Sequence, residues 1–177
     1  MEKNKKQVSL SDNEALELLV KEAKKNGASD VDVLMSKSRG LSASIRNGKE
    51  ETIERYDSFD VGLRAFVGKK SSSISSNLIT SDNLIKISQK AVEMAKIAPE
   101  DKFSSIATNE MLELNPINSS LDIQSFDKTE LETRELINNA CEVEEYALSL
   151  SNNLKSDGAE ASWAHNEIKL VTSNGFF

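Results

Sequence analysis

Histidine and cysteine are nearly missing from this chain: His165 and Cys141 are the sole examples of each. One cysteine excludes an internal disulfide. A catalytic zinc usually takes three protein ligands, commonly more than one His together with Glu, Asp or Cys. The sequence has no HExxH-like pair, no CxxC and no His-x-His. Nor is there a GxGxxG or GxxxxGKS arrangement to bring backbone N–H groups onto a phosphate. No apolar run approaches the ~20 residues of a membrane span, and the polar start "MEKNKK" lacks the apolar centre of a signal peptide. Basic charge is also in deficit, with a formal net charge of −7. The one basic cluster is that same N-terminal stretch, which reads as a solvated tail, so direct nucleic-acid binding is not expected. These absences point to a soluble, cytoplasmic protein with no catalytic, cofactor or metal residues of its own.

What is present is periodicity. In "SLSDNEALELLVKEAKKNGA", Ser11 and Glu14 form a capping-box pattern. Ala15, Leu16, Leu19, Val20 and Ala23 then share one face, and Gly27 stands where a left-handed residue closes a helix. The spacing predicts a helix over 12–26. Alternation follows at Val31, Val33 and Met35, and again at Leu41, Ala43 and Ile45. Asn47-Gly48 turns the chain into "KEETIERY". "DVGLRAFVG" alternates once more, and Gly68-Lys69 leads into "SSSISSNL". Five short strands joined by short turns predict a largely antiparallel sheet with one face on a core.

A second helix is expected from an N-cap at Ser81, with Leu84, Ile85, Ser88, Ala91, Val92 and Ala95 inward and Pro99 as its stop. Residues 99–125 hold both prolines and no sustained period, and read as a linker. A third helix is expected from Asp127 with Glu130, its face running through Ile137, Ala140, Cys141, Ala147 and Leu148, ending near Asp157-Gly158. "KLVTSNGFF" then reads as a strand running into a type I′ turn at Asn174-Gly175.

The fold class expected is α+β, a mostly antiparallel sheet packed with helices, followed by a second, incomplete helix–hairpin unit. The division expected is a domain over 9–104, a linker over 105–125 and a partial second domain over 126–177. Gly27-Ala28 answers to Gly158-Ala159, and Asn47-Gly48 to Asn174-Gly175, as in a diverged repeat. Two unrelated α+β units can also share two dipeptides. A repeat that stops after its second strand reads as a piece of a longer protein. Its edge along Ile168–Thr172, beside Phe176 and Phe177, is then expected to self-associate or to be loosely ordered.

Each candidate chemical group also has a plain structural reading. His165 alternates with Trp163 and Ala161 and precedes an Asn166-Glu167 turn, as a strand-end residue would. Cys141 falls on the apolar face of the third helix and reads as a small core hydrophobe. The charges of "RNGKEETIERY" suit a solvated strand with cross-strand pairs. The serines around Ile74 suit an exposed strand blunted by lysines, or an edge that accepts an extended peptide.

Taken in order, "GASDVDVLMSKSRGLSASIRNGKEETIE", "DVGLRAFVGKKSSSISSNL", the Ser81 helix with "AVEMAKIAPED", and "IKLVTSNGFF" resemble the N-terminal region of the PmbA/TldD family. "SKSRGLSASIRNGK" and the serine-rich strand are more similar to the PmbA/TldE branch, historically labelled a modulator of DNA gyrase. The resemblance runs over roughly residues 12–177. It implies relatives more than twice this length, in which TldD carries a zinc-binding HExxxH motif and assembles with TldE into a metalloprotease acting on unfolded or modified peptides. No HExxxH occurs here, so no catalytic residue carries over. The chain is therefore expected to be a non-catalytic subunit fragment, with a TldD-like partner holding the zinc and peptides reached through the assembly. The alternative is a stand-alone binding or regulatory module of the gyrase-modulator kind.

Overall fold

The computed structural model describes residues 10–112 and 124–176. The N-terminal tail, Pro116 with most of the linker, and Phe177 lie outside the described residues. Helix α1 is Asp12–Lys25, and its capping box forms as expected. Ser11 Oγ accepts from the Glu14 N–H at 3.4 Å, and the Glu14 carboxylate accepts from the Ser11 N–H at 2.8 Å. Those two bonds satisfy donors that a helix start leaves orphaned. The Ser11 N–H, and then the Ser11 hydroxyl donating to the same carboxylate at 2.7 Å, hold the Glu14 carboxyl below its usual value. Gly27 closes the helix at φ +104°, a conformation that costs a residue with a Cβ.

Three strands follow, not five short ones: β1 Asp30–Arg46, β2 Lys49–Val67 and β3 Lys70–Ser76. "SKSRG" has a turn-like composition, yet β1 runs straight through it. Likewise "KEETIERY" and "DVGLRAFV" are one strand across Asp57-Ser58. The real turns are those where positive φ is required. Asn47 and Gly48 stand at φ 51° and 69°, as a type I′ turn needs, and Gly68 at 61°.

Helix α2, Ser81–Ile97, takes Thr80 as its N-cap, one residue earlier than expected, because the Thr80 hydroxyl accepts from the Asn83 N–H. Ile87 is buried where Ile85 was expected; Ile85 is exposed. A 3₁₀ turn covers Asn109–Met111. Helix α3, Thr133–Ser149, begins later and ends earlier than the sequence suggests. Its N-cap is Glu132, whose N–H donates to the Glu135 carboxylate at 2.8 Å. Asp127 instead closes a local turn onto the Thr129 N–H at 2.9 Å. The buried residues of α3 are Leu136, Ala140 and Glu144, while Ile137, Cys141 and Leu148 are half-buried and Ala147 is exposed.

Strand β4, Ala159–Thr172, continues through Asn166-Glu167, where a turn was expected. It joins the same four-stranded sheet, order β3-β2-β1-β4, and does not start a separate one. The β2–β3 pair is antiparallel, with Leu63 opposite Ile74 and Ala65 opposite Ser72. After β4 the chain turns over Ser173-Asn174 with Gly175 at φ 94° and Asn174 not in the left-handed region. The Gly175 N–H donates to the Thr172 carbonyl at 3.2 Å, and the Thr172 N–H to the Phe176 carbonyl at 3.0 Å. This is a three-residue loop with glycine at its left-handed position, not the type I′ turn that Asn-Gly implied.

Contacts group the chain into two compact units that interleave along the sequence. One takes in the described parts of Met1–Ser36, Phe59–Leu121 and Ile168–Phe177, the other those of Lys37–Ser58 and Asp122–Glu167. The division expected from the linker was consecutive; long strands make it interleaved, since a strand of 17 or 19 residues outruns any one local core. The first unit holds an apolar core in which Leu16 and Leu19 of α1, Val31, Val33 and Met35 of β1, Val61 and Leu63 of β2, and Leu84 and Val92 of α2 are buried. The second holds a small cluster of Leu41, Ala43 and Leu136, with Leu131, Ala161 and Trp163 against it.

Candidate functional site

In the second unit, charged and aromatic side chains gather around one glycine. Gly40 has no room for a side chain: a Cβ there would lie 2.6 Å from the Tyr56 ring and 2.7 Å from the Trp163 carbonyl oxygen. Its neighbour Arg39 grips the Glu130 carboxylate with both terminal nitrogens, at 2.5 and 3.3 Å. The same guanidinium lies 5.9 Å from the Trp163 ring centre. Trp163 in turn donates its indole N–H to the Leu131 carbonyl at 2.8 Å. A cleft of about 240 Å³ opens among Arg39, Gly40, Tyr56, Glu130 and Trp163. Aromatic rings with a pre-paired guanidinium make a surface suited to binding, since the Arg39 contact and the indole N–H bond already fix the Trp163 ring.

His165 lies on the same strand, half-buried, with its ring edge-on to Phe126 at 4.9 Å. Cys141 lies half-buried on α3. The two residues stand on different elements, His165 on β4 and Cys141 on α3. Among the described residues, no three His, Cys, Asp or Glu side chains converge to hold a metal ion.

The "RNG" turn has a role that sequence reasoning missed. Its Asn47 and Gly48 N–H groups donate to the Glu144 carboxylate at 2.8 and 2.7 Å. The Ser156 hydroxyl donates to the same carboxylate. The Ser156 bond, then the Gly48 N–H, hold the Glu144 carboxyl below its usual value, against the opposing effect of burial, with Asn47 and the Arg46 charge adding to them. An Asn-Gly turn with two inward N–H groups is the signal that an acceptor must exist; which acceptor could not be read from spacing, because Glu144 lies 97 residues away.

The serine strand β3 stands at a sheet edge, and its Ser71, Ser72 and Ser76 hydroxyls are engaged. Ser72 donates to the Ala91 carbonyl at 2.6 Å, Ser71 pairs with Ser104 at 2.9 Å, and Ser76 accepts from Asn83 at 2.9 Å. In the first unit, a shallow depression of about 370 Å³ lies over Asp32, Leu34, Gly62, Arg64, Ser73 and Ser75. Its one charge pair is internal: Arg64 Nε meets the Asp32 carboxylate at 3.0 and 3.2 Å while the guanidinium covers Phe66 at 4.9 Å. Each of these places presents a surface for contact.

The architecture defined by these elements is an α+β fold shared with part of two solved structures. Residues 31–95 match the family model for PmbA/TldA metallopeptidase domain 1. The curated Metalloprotease PmbA of Escherichia coli O157:H7 is 24% identical over 146 residues, which are 82% of this chain and 32% of that protein. A Bacteroides thetaiotaomicron structure described as a candidate modulator of DNA gyrase superposes with a TM-score of 0.72 at 18% identity, over 94% of this chain and 38% of that one. TldE from Thermococcus kodakarensis superposes with a TM-score of 0.65 at 15% identity, over 91% and 35%. The chain is similar to the N-terminal region of the PmbA/TldD family, and it spans about a third of the length of the curated relative. Among the described residues, no helix is long and apolar enough to cross a membrane.

Proposed function

We propose that this chain acts as part of a PmbA/TldE-like, non-catalytic subunit in a cytoplasmic metalloprotease of the TldD/TldE type, which degrades unfolded or modified peptides. The observation that carries the reading is the domain-1 match over residues 31–95, on a chain whose curated relative is named a metalloprotease. In this reading a TldD-like partner holds the zinc and supplies the hydrolytic water, since a catalytic zinc needs three ligands and an open position. This chain's own residues contribute surface. Trp163, Tyr56 and the Arg39–Glu130 pair offer stacking and charge, with the Asp57 and Glu132 side chains lining the same cleft.

Co-expression with a TldD-like subunit tests this. The two should co-elute as a heteromer with peptidase activity and with zinc that follows the TldD-like subunit. The chain alone should bind no stoichiometric zinc and cleave no peptide. Failure to co-elute, or equimolar zinc on this chain that is lost on His165→Ala, overturns the reading. Two of the similar structures carry a gyrase-modulator description, and that favours one competing outcome: binding to gyrase protein with no TldD-like partner.

A further inference from the structure

Helix α3 has two apolar faces, and the sheet uses only one. Leu136, Ala140 and Glu144 face inward. Beside them Val143, Tyr146 and Leu150 stand 60%, 69% and 66% exposed. With Asn139 these residues recur at intervals of four, three and four, the spacing of a coiled-coil seam, with a β-branched residue at one seam position and a leucine a heptad later. The seam forms an open groove of about 690 Å³ lined also by Glu142 and Ala147. An exposed apolar stripe of this regularity is unusual for a lone surface helix, whose outer face is normally polar.

Charge decides what fits the groove. Glu142 lines the groove, and Glu135 stands one heptad earlier, its carboxylate also accepting from the Glu132 N–H. From Glu135 to Ser149 the helix has no basic residue, and its four glutamates stand against the single Arg134. The position across the seam from Glu142 is the small Ala147, which lets a second helix approach closely. We infer that this face of α3 docks an amphipathic helix of a partner protein, one with a leucine-rich seam flanked by lysine or arginine. A second copy of this chain does not fit as well, because it would bring an acidic flank of its own to a protein already at −7. The inference stands on α3 alone and does not depend on the protease reading.

The probes are two synthetic helices about three heptads long with leucine at both seam positions, one flanked by lysine and one by glutamate. The full chain should bind the lysine helix at least about tenfold more tightly than the glutamate helix, with affinity falling as salt rises. Val143→Ser with Tyr146→Ser should weaken that binding by about tenfold or more. Phe103→Ser, which alters an exposed phenylalanine elsewhere, should leave it unchanged. Circular dichroism melting establishes that each variant is folded, and Glu142→Lys, a surface change, should shift preference toward the glutamate helix. Equal affinity for the two helices, binding that survives the double substitution, or a chain that dimerises through Val143 and Tyr146 would each overturn the inference.

Discussion

The two compact units hold themselves together by different physics. In the first, two helices and the strands β1 and β2 bury leucine, valine, isoleucine, methionine and alanine side chains almost completely. In the second, one helix meets the strands through a smaller apolar cluster of Leu41, Ala43 and Leu136, with Ile45 and Ala140 also buried. There the remaining work falls to polar contacts: Glu144 on the Asn47-Gly48 turn, Trp163 on the Leu131 carbonyl, and Arg39 on Glu130. Apolar burial is non-directional and grows with area. Hydrogen bonds contribute less net stability each but fix orientation, and leaving one partner buried without the other is costly. The first unit is thus the better source of stability, and the second the better source of a defined surface. The aromatic cleft and the open face of α3 both lie in the second.

That contrast can be broken most directly in the apolar core. Leu16 is fully buried, so Leu16→Ala should cost about 2–5 kcal/mol. Leu136→Ala should fall at the low end of that range, because half-buried neighbours such as Leu131 and Ile137 can relax into the space. Denaturant titration followed by circular dichroism measures both. Trp163, the one tryptophan, reports locally on the second unit by fluorescence. Equal losses would mean that the second unit is packed as tightly as the first.

Gly40→Ala comes next. The new methyl would meet the Tyr56 ring and a main-chain oxygen, and a backbone atom cannot swing aside. The expected cost is about 1–3 kcal/mol, together with a change in Trp163 emission as the cleft opens. A neutral Gly40→Ala with unchanged emission would show that the close approach is dispensable.

The smallest effect sharpens the polar side of the comparison. The folded-state pKa of Glu144 is lowered from 4.5, so its contribution is fully present above about that pH and is lost as pH falls through the folded value. Glu144→Gln should therefore be less stable than the parent at neutral pH, with the gap closing in acid. The parent's stability profile against pH, compared with that of the variant, measures this. A gap that persists unchanged at acid pH would mean the carboxylate charge is not what holds the turn.

Where the sequence was legible, the controlling interactions were local. Ser11 with Glu14, the glycine at 27, the alternation from Val61 to Val67 and the positive-φ turn at Asn47-Gly48 are all settled within a few residues, and each formed. Strand continuity was not legible, because serine, arginine and glycine in "SKSRG" carry a turn's composition. The chain stays extended there since Gly40 is needed for close approach to Tyr56, not for a bend. The start of α3 was missed for a related reason. Asp127 and Glu132 both offer a cap, and the helix forms only where Leu136 can reach Leu41 and Ala43.

The sequence by itself determined the element types, the inward faces of α1 and of the strands, and the absence of a zinc motif, because periodicity and ligand count need no partner. Tertiary structure alone decided that β4 joins the sheet beside β1, that Glu144 anchors a turn 97 residues distant, and that α3 keeps a second apolar face open. Those outcomes depend on which distant surfaces meet, and the free energy of such a meeting belongs to the pair of surfaces, not to either stretch of sequence.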